Sequence, residues 1–161
     1  MGLVVRTCLL ALVLSLTSVA AFAANEELDA LFTKDVLIIQ ASAHACYRLD
    51  IYLAIDNAQR ARGLMHVRDL PPKTGMLFVY EPGSYISMWM KNTYISLDMV
   101  FARHDGTVSS IARNTEPLSL RSIASVEPVK FVLELNAGTS ERLSIDENSR
   151  LIWEPAQSDD E

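Results

Sequence analysis

Residues 97–113 read LDMVFARHDGTVSSIAR, two strand-like runs on either side of Asp105-Gly106. The dipeptide suits a two-residue type I′ hairpin, because both central positions of that turn need φ > 0. A chain with such a reversal commits to antiparallel neighbours from the outset. The rest of the sequence repeats the theme. DVLIIQAS and CYRLDIYLAI are rich in β-branched and aromatic residues, and MLFVY (76–80) is a continuous apolar run before Glu81-Pro82-Gly83. That Pro-Gly is expected to form a turn, with YISMWM as the antiparallel neighbour of MLFVY. VKFVLELN and SRLIW complete about seven or eight strands.

Helical signals are brief. NEELDALF (25–32) has helical spacing, and DNAQRARGLMHV (56–67) starts on capping residues and meets Gly63. AGTSERLSI predicts a single turn capped by Thr139 or Ser140. The expected fold class is α+β: a β-rich, mainly antiparallel, rolled or barrel-like sheet with two or three short helices.

The start of the chain reads differently. Arg6 precedes an apolar run, Leu9–Leu16, and Ala21-Phe22-Ala23 fits the small-x-small rule for signal peptidase. The run is shorter than the ~20 residues of a spanning helix. The expected organisation is a signal peptide at 1–23, a short helix or flexible lead at 24–34, one domain at 35–153 and an acidic tail at 154–161. A periplasmic or secreted location follows, with no stable membrane insertion after cleavage. The net charge is −6. An acidic domain without a basic run is a poor match for nucleic acid. Cys8 leaves with the signal, so Cys46 has no partner for an internal disulfide and is expected to be a small buried hydrophobe.

No GxSxG, HExxH, P-loop, GxGxxG or CxxC occurs, and His44, Cys46, His66 and His104 do not form a zinc set. These absences lean against an enzyme, and no cofactor is expected. The most informative stretch is SYISMWMKNTYISLD (84–98). Read as a strand, it puts Ile86, Met88, Met90 and Asn92 on one face and Ser87, Trp89, Lys91 and Thr93 on the other. Both faces are bulky at first and polar at the end, as in a strand covered on both sides that delivers polar heads to a rim. Lys91 supplies charge, Asn92 a donor and an acceptor, and Asp98 a counter-ion for Lys91. The structural alternative is that Asn92 caps the turn, Thr93 bonds the backbone and Lys91 pairs with Asp98 or Glu134.

Four functions fit these residues. The first is a binding module in the cell envelope for a small polar or anionic ligand, held by Arg62, Trp89, Lys91, Asn92, Thr93, Asp98 and Glu134. The second is copper(I) binding by Met88 and Met90, in a chain with methionine also at 65, 76 and 99. The third is an enzyme using Asp98 and Glu134 as an acid/base pair. The fourth is an envelope protein partner, docked on an exposed apolar patch.

The segments GLM (63–65), Leu70 with GMLF (75–78), WMKNT…LD (89–93, 97–98), DG (105–106) and VLEL-AG (132–135, 137–138) follow the order and spacing of the DUF192 (UPF0127) family, which the chain resembles from about residue 47 to 152. The resemblance implies a small, often exported, β-rich domain with no established reaction. Two places depart from the family pattern. Val67, with Arg68 beside it, stands where relatives often have Arg, and Asn148-Ser149 replaces a Gly-Asp.

Overall fold

The computed structural model describes residues 26–41 and 45–155. The expected signal segment, His44 and the last residues of the tail lie outside them. Nine strands form: β1 (Thr33–Gln40), β2 (Cys46–Ala54), β3 (Thr74–Ser84), β4 (Ser87–Met88), β5 (Leu97–Ala102), β6 (Val108–Ala112), β7 (Ile123–Ala124), β8 (Val129–Asn136) and β9 (Arg150–Ile152). Three short helices join them: α1 (26–31), α2 (Asn57–Arg62) and α3 (Thr139–Arg142).

Seven strands make one sheet in the order β6-β5-β8-β3-β2-β1-β9, and β4 pairs only with β7. The two edges nearly meet. Thr107 bridges Arg150, the Val108 amide donates to the Ser149 carbonyl, and the Leu151 amide donates to the Gly106 carbonyl. The β-rich, barrel-like and mostly antiparallel architecture is therefore as the sequence predicts.

Strand alternation supplies two cores. Leu37, Ile39, Leu49, Ile51, Leu77, Val100, Leu133 and Leu151 point to the inside of the rolled sheet. Tyr52, Met76, Phe78, Met99, Phe101 and Val132 point outward, under a cover made by Leu28 and Phe32 of the α1 segment, Leu64, Val67 and Leu70, and Ile86, Met88 and Met90. Each such side chain contributes about 1.5–3 kcal/mol when fully buried. Helix α2 follows its signals closely. The Gln59 amide donates to Asp56 Oδ1 at 2.8 Å, Gln59 Oε1 accepts from the Asp56 amide at 3.3 Å, and the helix stops at Gly63.

Within this mainly antiparallel sheet one pair is parallel: α2 carries the chain from β2 to β3, which run side by side. Several local expectations need correction. Glu81-Pro82-Gly83 is no turn. It lies within β3, with a cis peptide before Pro82, and the antiparallel partner of β3 is β8 rather than the YISMWM segment. Helix α3 has Gly138 at its N-cap and no side-chain cap, because the Ser140 hydroxyl is engaged elsewhere.

Cys46 is exposed, since the outward positions at the start of β2 (Cys46, Arg48, Asp50) have no layer above them among the described residues. Asp105-Gly106 does mark the β5–β6 hairpin, but only Gly106 has positive φ (85°). The Arg103 amide donates to the Thr107 carbonyl and the Gly106 amide to the Arg103 carbonyl, so the loop has three residues and ends on a left-handed glycine.

That glycine also meets the far edge of the barrel. A Cβ at Gly106 would lie 2.1 Å from the Leu151 carbonyl oxygen. Gly106→Ala is expected to cost at least about 2 kcal/mol by combining left-handed strain with loss of the β6–β9 closure. Urea unfolding measures it; an unchanged midpoint contradicts the closure.

Candidate functional site

The segment 84–98 is not covered on both sides. Ile86, Met88 and Met90 point into the outer core, while Ser87, Trp89 and Lys91 face solvent, Trp89 being 50 % exposed. The strand ends after Met88, and the chain turns, with the Thr93 amide donating to the Met90 carbonyl and Asn92 at φ 54°. Asparagine tolerates that left-handed conformation better than most residues. The turn swings Thr93 inward to 5 % exposure, where its hydroxyl donates to the Lys91 carbonyl at 3.3 Å.

This turn is tied to the loop after α2. The His66 amide donates to the Asn92 carbonyl at 2.8 Å, and Asn92 Nδ2 lies 3.9 Å from Met65 Sδ. Arg68 stacks on Tyr94 at 4.4 Å from the ring centre. Gly63 permits the close fit, since its φ is 46° and a Cβ there would lie 3.1 Å from the Phe78 ring. The GLM and WMKNT stretches thus become two walls facing the outer surface of β3 and β8.

Between them is a cavity of about 90 Å³ bordered by Gly63, Leu64, Met65, Phe78, Tyr80, Met88, Trp89, Thr93, Arg60, Arg62 and Glu134. Glu134 is the central feature. It stands between Met76 of β3 and Met99 of β5 in the sheet register and is 4 % exposed. No hydrogen bond or ion pair reaches its carboxyl group among the described residues. Burial pushes its pKa from an ordinary 4.5 up to about 8, so it is an un-ionised acid at neutral pH. Tyr80 is raised to about 12, first by burial; Arg60 opposes the rise and Glu134 adds to it.

The two arginines are already engaged. Arg60 donates to Val79 O at 2.9 Å, to Asn57 Oδ1 at 2.6 Å and to the Ile55 carbonyl, and lies over the Tyr80 ring at 5.2 Å. Arg62 donates to the carbonyls of Gly63 and Met65 and pairs with Glu27 at 2.7 Å. Both pin the α2 loop to its surroundings. The Tyr80 hydroxyl is directed at Met88 Sδ, 3.5 Å away.

The site residues named from sequence therefore separate. Arg62, Trp89, Thr93 and Glu134 border the cavity. Asn92 holds the wall from behind, and Lys91 lies outside, its ammonium 5.1 Å from the Trp89 ring centre. No ion pair to Lys91 occurs among the described residues, so neither Asp98 nor Glu134 is its counter-ion.

Asp98 is fully buried on the opposite face of the sheet. It accepts from the Asn114 amide (2.9 Å), the Ser140 amide (2.9 Å) and the Ser140 hydroxyl (2.8 Å). Register explains the separation: Met99, not Asp98, stands opposite Glu134, and neighbouring positions on a strand face opposite ways. The pair expected for acid/base chemistry does not form. Met90 is fully buried and accepts from the Thr115 hydroxyl at 3.2 Å, so of Met88 and Met90 only Met88 borders the cavity.

Sequence reasoning missed Tyr80, Met65 and Arg60. The alternation Phe78–Tyr80 in β3 held the signal for Tyr80, but the supposed Pro-Gly turn cut that strand short.

The comparisons agree on the fold. The family model DUF192, described as an uncharacterized ACR, matches residues 37–153. A crystal structure from Sinorhizobium meliloti 1021, provisionally described as a transcription regulator, is 42 % identical with a TM-score of 0.74, covering 75 % of this chain and 94 % of that one. A protein of unknown function from Novosphingobium aromaticivorans DSM 12444 is 30 % identical with a TM-score of 0.72, covering 74 % and 85 %. No curated protein matches the chain.

Proposed function

The chain belongs to the DUF192 family, and on that premise we propose that it is a binding module of the cell envelope whose ligand presents one small polar group to Glu134. The observation that carries this reading is a buried carboxyl group, without a partner among the described residues, bordering a cavity. Burying a polar group without a hydrogen bond costs several kcal/mol, and a ligand that supplies the bond recovers part of that cost. The stretches by which the chain resembles its family (GLM, GMLF, WMKNT and VLEL) all contribute to this one cavity. The engaged arginines argue for a neutral polar group over an anion.

Nothing in the lining pairs Glu134 with a second carboxyl group or a nucleophile, so the reading is binding rather than catalysis. The net charge of −6 makes the chain a poor match for nucleic acid. No helix among the described residues is long and apolar enough to cross a membrane. Export is the proposed route for residues 1–23, and intact-mass analysis of the secreted protein should find the mature chain starting at Ala24 or Asn25. Retention of Met1 would contradict the cleavage and leave residues 1–23 as an uncleaved anchor.

The binding claim is tested by a thermal-shift screen of the protein with neutral polar metabolites and glycan fragments. A ligand at a hundred times its Kd adds about 2.7 kcal/mol of stability. That gain should vanish in Glu134→Leu, which removes the polar group. No stabilising compound, or equal stabilisation of the variant, contradicts the reading.

A further inference from the structure

We infer that the ligand is a carbohydrate carrying an N-acetylamino group, with the acetamide in the Glu134 cavity and the sugar ring against Trp89. This rests on the binding reading above and names its ligand class.

Size comes first. A cavity of about 90 Å³ is well below the ~300 Å³ or more of pockets that engulf a whole small molecule, so it admits one substituent and leaves the rest at the mouth. Polarity comes next. An un-ionised carboxyl group has one O–H donor and one carbonyl acceptor side by side. A trans secondary amide has a carbonyl acceptor and an N–H donor on opposite edges, so one of them meets the Glu134 carboxyl group: the amide carbonyl accepts its O–H. A carboxylate or phosphate would need free cationic donors, and Arg60 and Arg62 already serve backbone carbonyls, Asn57 and Glu27.

Shape follows. Phe78, Met65 and Met88 give the rest of the cavity an apolar lining suited to a methyl group, and thioethers adapt to such a group readily. The mouth supplies the last argument. Trp89 is 50 % exposed although it belongs to a segment with a buried face, and it borders the cavity. An exposed indole beside a polar cavity is a platform for the C–H face of a sugar ring. Lys91 at its ring and Ser87 at the cavity edge, itself 2.7 Å from the Ser122 hydroxyl, place donors and acceptors where ring hydroxyls would lie. A peptide could offer the amide, but not a saturated ring face for the exposed indole.

The charged and titratable groups around Glu134 are Tyr80 of β3 and Arg60 and Arg62 of α2; its register neighbours are Met76 and Met99. Ionisation of Glu134 removes the O–H donor, so binding should weaken as pH rises past about 8.

The test is titration of the mature secreted protein with di-N-acetylchitobiose, cellobiose and an N-acetylated dipeptide amide, followed by tryptophan fluorescence and the methyl NMR signals of Met65 and Met88. Chitobiose should bind and shift both methyl signals, with cellobiose and the peptide at least about tenfold weaker. Trp89→Ala should weaken chitobiose by about tenfold, at unchanged thermal stability. Glu134→Gln, which keeps a donor and an acceptor, should retain binding at pH 7 and lose its decline above pH 8.

Equal binding of cellobiose overturns the N-acetyl assignment, and preference for the peptide overturns the carbohydrate assignment. If other polar compounds bind through Glu134 while no sugar does, the inference fails and the binding reading stands. If nothing binds, both fail.

Discussion

Glu134→Gln is expected to make the protein more stable at pH 8.5, by several kcal/mol, and to leave its stability at pH 4 nearly unchanged. The sign follows from the proton balance. The folded carboxyl group holds its proton up to about pH 8, whereas the unfolded one releases it near 4.5. Between those values the folded state binds more protons than the unfolded state, so stability falls as pH rises. The contribution is fully present below about 4.5 and is lost by the time the pH passes 8. Its full size is on the order of 5 kcal/mol for a shift from 4.5 to about 8. Glutamine has nearly the same shape and cannot ionise, so the variant should lack this slope.

Asp29, Glu81, Asp105 and Glu127 act in the opposite sense. Hydrogen bonds from Lys34, Lys130, Thr107 and Ser109 respectively hold their pKa values below the ordinary range. Their stabilisation is present above the ordinary carboxylate range and is lost in acid. The wild type should therefore be most stable in mild acid, between the two effects. Urea unfolding of both proteins at pH 4, 6 and 8.5 checks this; parallel profiles would mean that Glu134 ionises normally in the fold.

Asp98→Ala should be the most damaging single substitution at a polar position, costing about 3–5 kcal/mol. Its two oxygens take the amides of Asn114 and Ser140 and the Ser140 hydroxyl, and the site is fully closed to water. Truncation leaves three donors without an acceptor, two of them, on Ser140, fully buried. Asp98→Asn keeps one acceptor oxygen but turns an NH₂ group toward a donor, so it should lie between wild type and alanine. The signature of this bracket, rather than a general loss of packing, is coupling to Ser140. Ser140→Ala should cost about 1–2 kcal/mol in the wild type and distinctly less in Asp98→Ala. Equal costs in the two backgrounds contradict the bracket.

Much of the architecture was legible because it rests on local patterns. Alternation in β2 and β8, the Asp56–Gln59 capping box and the Asp105-Gly106 reversal each act over a few residues. Asp98 was read as a functional charge because sequence shows a carboxylate near a lysine, but not which face of a sheet each occupies. Only the β5–β8 register reveals that Asp98 and Glu134 face opposite ways. The Pro82-Gly83 pair misled for a similar reason. β3 runs on through it, flanked by β2 and β8 as far as Phe78 and rejoining β8 at Ser84 opposite Val129 after a register shift, a pairing that the local sequence does not show. Trp89, expected inside on hydrophobicity alone, is half-exposed because nothing covers the outer face of the short β4 segment. The cavity itself was legible only as a set of separate stretches, since it needs the α2 loop and the Met90–Thr93 turn brought together over Glu134.

The cavity and its ligand chemistry both depend on Glu134 being closed off from water and keeping its proton at neutral pH. The most direct measurement is a carbon-13 NMR titration of its side-chain carboxyl carbon, assigned by comparison with Glu134→Gln. A midpoint near 8 is the predicted result. A midpoint near the ordinary 4.5 would mean a hydrated, ionised side chain and would contradict both the cavity and the ligand chemistry built on it.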